Sequence, residues 1–310
     1  MIKKLKKNFR TDLALEKFGD FEELSNGITK KVVCDDSITI TTIDILNEEG
    51  AKQLEKEIGT YVTIESEFLN SNDKFIHNKV IEHLAFELKK LLLKHNIGEN
   101  EEIFVVGLGN RNFTPDTIGV DSLNKILVTK HIYKELNNAY PKVFRPLSAL
   151  GTGVMGQTGM ETANIIKGVL EVNKDVKGVI VIDALASRNM SRLNNTIQLC
   201  DTGIAPGSGV NNNRAVLNEA FLGKRVIAIG VPTVIDLKTI IYDVLENISE
   251  EKESDDIFKY DDYLFNMESF FVSSKDIDEV AERLKNIIAN GINLGVHFGL
   301  TVDDINDFML

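Results

Sequence analysis

The sequence predicts an α/β fold: a single domain on a twisted, mostly parallel sheet with helices on both faces, plus N-terminal strands and a C-terminal helical part. Three observations carry this. Residues 103–108, 178–183 and 225–230 are short, nearly continuous apolar runs, as strands buried on both faces require. Segments with apolar residues at helical spacing separate them. The resulting β–α–β–α–β order between 103 and 248 favours parallel pairing through crossover helices. No Pro-, Gly- or Ser-rich linker divides the 310 residues, so one elaborated domain is expected.

Residues 1–30 show no clear periodicity and read as an extended or loosely packed arm. Val33, Ile38, Ile40, Ile43 and Ile45 alternate with Thr and Asp, which predicts one or two partly exposed antiparallel strands over 31–46. A short helix over 50–58 and a strand over 60–65 follow. Phe75, Ile76, Val80, Leu84, Leu88, Leu91 and Leu92 place one apolar stripe on a helix over 74–95, with Gly98 as its stop. After the strand at 103–108 come a loop (109–118), a helix near 119–138, a strand over 143–150 and a loop over 151–156. Ile165, Ile166, Val169 and Leu170 mark a helix over 158–172. The strand at 178–183 leads to a short helix from Ala184, then to an alternating strand at 195–200. Residues 201–214 form a Gly/Asn-rich loop. The strand at 225–230 ends at Val231-Pro232, and a helix spans about 236–248. The acidic stretch 249–262 reads as a surface loop. An amphipathic helix over 276–290 ends near Gly291, and a short helix starts near 302.

Composition excludes several classes. A net charge of −12 argues against a general nucleic-acid or anionic-membrane binder. No run reaches the 18 apolar residues of a membrane span. The basic start leads into Thr11-Asp12-Leu13 rather than an apolar core, so it is a poor signal peptide and a cytoplasmic location is expected. Cys34 and Cys200 form no CxxC pattern. Five histidines show no HxxxH or HExxH spacing, so neither a metal centre nor a cofactor is expected.

Two aspartates stand at strand mouths. Asp116 follows Thr114-Pro115 in the loop after 104–110, where it could also cap the next helix. Asp183 directly continues the apolar run 178–182, where an unpaired buried carboxylate is costly and calls for a partner or a role. Two carboxylates meeting above one sheet can share a proton and perform acid/base hydrolysis. Gly107, Gly109 and Asn110 shape the turn toward Asp116, and backbone N–H groups there are candidate oxyanion donors. GxGxxG fails, because the next glycine after Gly109 is Gly119. Gly207-Ser208-Gly209 lacks the strand–nucleophile–helix setting of a serine hydrolase and reads as a substrate loop.

The strings at 105–121 (VVGLGNRNFTPDTIGVD), 154–161 (VMGQTGME), 181–188 (VIDALASR), 195–210 (NTIQLCDTGIAPGSGV) and 227–236 (IAIGVPTVID) resemble the germination proteases of spore-forming bacteria. These endopeptidases degrade small acid-soluble spore proteins, and their fold is similar to that of hydrogenase-maturation endopeptidases. The resemblance covers nearly the whole chain. It implies an atypical aspartic peptidase with Asp116 and Asp183 as its catalytic pair, made as a zymogen and assembled as a homotetramer. It also implies a propeptide arm over 1–12, a peptidase domain over 13–310, and self-cleavage between Asp12 and Leu13. The same acidic-then-apolar preference is expected in substrates. Where the family usually carries Gly-Asn-Lys-Arg after PGSGV, this chain has Asn211-Asn212-Asn213-Arg214, losing a glycine and a base. The region after 249 is also shorter than in longer members. A metal-dependent maturation-type peptidase and a non-enzymatic nucleotide- or protein-binding module are the competing readings.

Overall fold

The structure, a computed structural model, describes residues 11–19, 25–140, 143–210, 214–252, 268 and 270–309. Its centre is a nine-stranded mixed sheet. The strands are β1 (Ile28–Asp35), β2 (Ile38–Ile45), β3 (Gly59–Glu65), β4 (Glu102–Gly107), β5 (Leu147–Gly151), β6 (Val176–Ser187), β7 (Thr196–Cys200), β8 (Arg225–Asp236) and β9 (Phe271–Val272). They lie in the order β1-β2-β3-β7-β8-β6-β4-β5, with β9 paired to β8. The parallel pairs are β5–β4, β4–β6 and β6–β8. From β8 through β7 and β3 to β1 every pair is antiparallel. The N-terminal strands thus extend the parallel unit on its β8 side.

Helices cover both faces, and side-chain alternation decides which residue meets which helix. Ile103, Val105, Ile180 and Ile182 join one core with the helices Lys74–Lys94 and Ile277–Val296. Their neighbours Phe104, Val106, Val179 and Val181 join a second core with the helix Thr162–Val172. Each fully buried Leu or Ile contributes about 1.5–3 kcal/mol, so the strand parity is strongly specified. A third core joins Ala14, Leu15, Ile43, Leu54 and Tyr61. Among the described residues no helix is long and apolar enough to cross a membrane.

Several elements depart from the sequence expectation. Residues 11–19 are no loose arm: Leu13 and Ala14 are fully buried at the start of the helix Ala14–Gly19. The helix expected over 119–138 breaks into Ile118–Ser122, Tyr133–Ala139 and two 3₁₀ turns. Its backbone finds other partners: Asn293 accepts from the Leu127 N–H and donates to the Lys125 carbonyl, both at 2.9 Å. No helix starts at Ala184, because β6 runs on to Ser187 against β8. β8 likewise passes through Pro232, which a register shift between Leu185 and Ala186 accommodates. Residues 249–252 end the helix Leu237–Lys252 rather than opening a loop. The rest of the expected 249–262 loop, residues 1–10 of the arm and residues 211–213 lie outside the described residues.

Candidate active site

The turn after β4 needs its glycines. A Cβ on Gly107 would lie 2.2 Å from the Gly119 carbonyl oxygen. Gly109 has φ +110°, and its Cβ would lie 2.0 Å from the Asp116 carbonyl oxygen. This close approach lets the Asn110 N–H donate to the Asp116 carbonyl at 3.1 Å and to its carboxylate at 2.9 Å. Asp116 sits in the 3₁₀ turn Thr114–Asp116. It does not cap the following helix, whose N-cap position is Thr117 without a side-chain bond. Its carboxylate reaches back to Asn110 instead. The Asn110 N–H is therefore engaged by Asp116 and is not a free oxyanion donor.

Asp183 lies one residue beyond the end of β4–β6 pairing, which closes at Gly107 and Ile182. It is only 5% exposed. Its carboxylate accepts from the Ala184 N–H at 3.0 Å. Burial pushes its pKa well above the ordinary carboxylate value, and the negative charges of Asp116 and Asp12 push it further. Burial also raises Asp116, to about 6, against the opposing Asn110 hydrogen bond. Burial thus raises both carboxylates, and the Asp116 charge adds to the shift at Asp183, so the two titrate as a coupled pair.

Both aspartates line one cavity of about 310 Å³, together with Asp12, Gly109, Gly207 and Arg214. Asp12 also lines a neighbouring cavity of about 280 Å³, with Lys56, Gln198 and Ser208. Its carboxylate accepts from the Ser208 hydroxyl at 2.7 Å and the Ala186 N–H at 2.9 Å. Its carbonyl oxygen accepts from Lys56 Nζ at 2.9 Å and Gln198 Nε2 at 3.2 Å. Burial pulls the Lys56 ammonium below its ordinary pKa, and the Asp12 charge opposes this. Gly209 is tightly confined: a Cβ there would lie 2.3 Å from an Asp12 carboxylate oxygen. The fold thus brings Asp12, Asp116 and Asp183 together, with Gly207, Ser208 and Gly209 over Asp12. Leu13 is buried beside them.

Sequence reasoning missed Lys56, Gln198 and Arg214. Gln198 carried a readable signal, as an amide inside the apolar run TIQLC. Lys56 carried none. No histidine lines the cavity that holds Asp116 and Asp183. His83 binds Asp35, His95 binds Asp201, and His297 is buried against Leu127 and Arg145. Among the described residues no three His, Cys, Asp or Glu side chains form a metal-binding group.

Comparison with known proteins adds an independent finding. A family model described as germination protease matches residues 10–257. A germination protease of Clostridium perfringens (strain SM101 / Type A) is 38% identical, over 97% of this chain and 99% of that protein. Those of Clostridium acetobutylicum and Caldanaerobacter subterraneus subsp. tengcongensis are 36% and 37% identical, each over 97% of this chain and 98% of theirs.

Proposed function

The chain belongs to the germination protease family, and on that premise we propose that it hydrolyses small acid-soluble spore proteins with Asp116 and Asp183 as an aspartic pair. We further propose that it is made as a zymogen whose arm, residues 1–12, is removed by self-cleavage between Asp12 and Leu13, and that it works in the spore interior as a homotetramer, a state that light scattering reads from molar mass. The observation that carries the reading is that Asp12, Asp116 and Asp183 line one cavity.

The chemistry follows from the two environments. Ionised Asp116 takes a proton from water as the water oxygen adds to the scissile carbonyl carbon. Protonated Asp183 gives its proton to the carbonyl oxygen, forming a neutral gem-diol. The C–N bond breaks as Asp116 passes its proton to the leaving nitrogen, and a gem-diol hydroxyl returns a proton to Asp183. The products are a carboxylic acid and an amine, and the pair ends as it began. No redox step is needed, and water is the only co-reactant.

The test uses purified small acid-soluble spore protein as substrate. Asp116→Asn and Asp183→Asn are each expected to lower kcat by at least about 10³, within the range that positioned acid/base groups contribute. Wild-type activity is expected to survive exhaustive chelation. Wild-type rates in either variant would contradict the pair, and loss of activity on chelation would favour a metal enzyme.

A further inference from the structure

Residues 11–16 are held like a bound peptide. The Asp12 N–H donates to the Ala186 carbonyl at 3.1 Å, and the Ala14 N–H donates to Gln198 Oε1 at 2.7 Å. Gln198 therefore spans the Asp12–Leu13 bond, holding the carbonyl on one side and the next amide but one on the other. Downstream, the buried Glu16 carboxylate accepts from the Arg188 and Asn189 N–H groups at 2.8 Å each. Leu13 is fully buried where an apolar residue follows the acid.

The Asp12 side chain adds selectivity to this backbone clamp. One carboxylate oxygen takes the Ser208 hydroxyl and the other the Ala186 N–H. A carboxylate offers only acceptors, and both groups here are donors. An amide in the same place could keep the Ala186 N–H and donate its NH₂ to the Ser208 oxygen, but it would lose the negative charge that strengthens both bonds. Gly209 closes the remaining side with no room for a Cβ. Lys56, the nearby cation, binds the main-chain carbonyl rather than the carboxylate. Selection of the acid therefore falls to two charge-assisted hydrogen bonds rather than to an ion pair.

We propose that Ser208, the Ala186 N–H and Gly209 form the subsite that selects an acidic residue before the scissile bond, in this chain's own arm and in substrates alike. The inference rests on the reading that Asp12–Leu13 is cleaved. In the state described, the Asp12 carbonyl oxygen already has two donors, Lys56 and Gln198, one for each lone pair. The segment is docked rather than reacting, which leaves its recognition contacts intact. A purely structural role for Ser208 predicts lost stability with unchanged selectivity, so selectivity is the informative readout.

The experiment is a double-mutant cycle on the full chain, following cleavage at 12–13 by intact mass, with peptides carrying Asp-Leu or Asn-Leu supplied in trans. Hydrogen bonds to charged groups set the expected scale. In the wild type, Asp12→Asn should slow self-cleavage at least about tenfold, and Asn-Leu peptides should show the same deficit in kcat/KM. In Ser208→Ala this Asp/Asn gap should shrink to about threefold or less, mainly through slower Asp cleavage. Ser208→Thr, which keeps the hydroxyl, should restore part of the gap. An Asp/Asn gap in Ser208→Ala equal to that of the wild type would overturn the subsite while leaving the protease reading standing. Absence of any wild-type cleavage at acidic–apolar bonds, in cis or in trans, would overturn both.

Discussion

The catalytic proposal turns on what burial does to two carboxylates. Asp116 holds its proton to about pH 6 in the folded chain, against an ordinary value of 3.8. Between those pH values the folded state binds more protons than the unfolded state, so this group lowers stability as pH rises. The difference corresponds to about 3 kcal/mol once the group is ionised in both states. Asp116→Asn removes the titration and keeps an oxygen for the Asn110 N–H. Relative to wild type, its unfolding free energy in urea should rise by about 3 kcal/mol between pH 2 and pH 8. A variant-minus-wild-type difference that is flat across that range would show that burial does not strain Asp116. An inactive variant more stable than its parent at neutral pH is the result expected of a buried charge kept for function. Asp116 and Asp183 were visible in the sequence because each interrupts an apolar run or its loop. The Asp12 receptor was not, because Lys56, Ala186, Gln198 and Ser208 are brought together only by sheet pairing and a loop return.

At the scale of elements, periodicity was informative and boundaries were not. The stripe from Ile76 to Leu92 places the helix Lys74–Lys94 correctly, since burying that stripe is its main stabilisation. The helix Ile277–Val296, however, continues through Gly291, where the sequence suggests a stop. Gly291 is a packing residue: a Cβ there would lie 2.4 Å from the Leu84 side chain. A Cβ on Gly295 would lie 3.1 Å from the Ala85 carbonyl oxygen, a tight but lesser approach. Helix propensity favours alanine over glycine by about 1 kcal/mol, while overpacking costs about 1–3 kcal/mol. Gly291→Ala should therefore destabilise the fold in urea with no loss of helical circular dichroism. A stabilised variant would mean that the two helices are not in tight contact. β6 and β8 ran long for a related reason. Their partners lie across the sheet, so neither Asp183 nor Pro232 terminates them locally.

At the scale of the molecule, the α/β class and the two-faced core were legible because alternation along buried strands dictates two packing faces. The antiparallel half was only partly so. Its strands were readable, but the pairing of β3 with β7, which joins them to the rest of the sheet, spans more than a hundred residues. That pairing puts Gln198 and Lys56 beside Asp12 and completes the cavity system around the two aspartates. The proposed catalytic pair belongs to the parallel half, while the segment it is proposed to cut is clamped from both halves. The most direct measurement of this account is the intact mass of the purified full-length chain over time under activating conditions, for wild type, Asp116→Asn and Asp183→Asn. Wild type is expected to lose residues 1–12 in one step while both variants stay whole and folded. Release of the same fragment from either variant at the wild-type rate would contradict it.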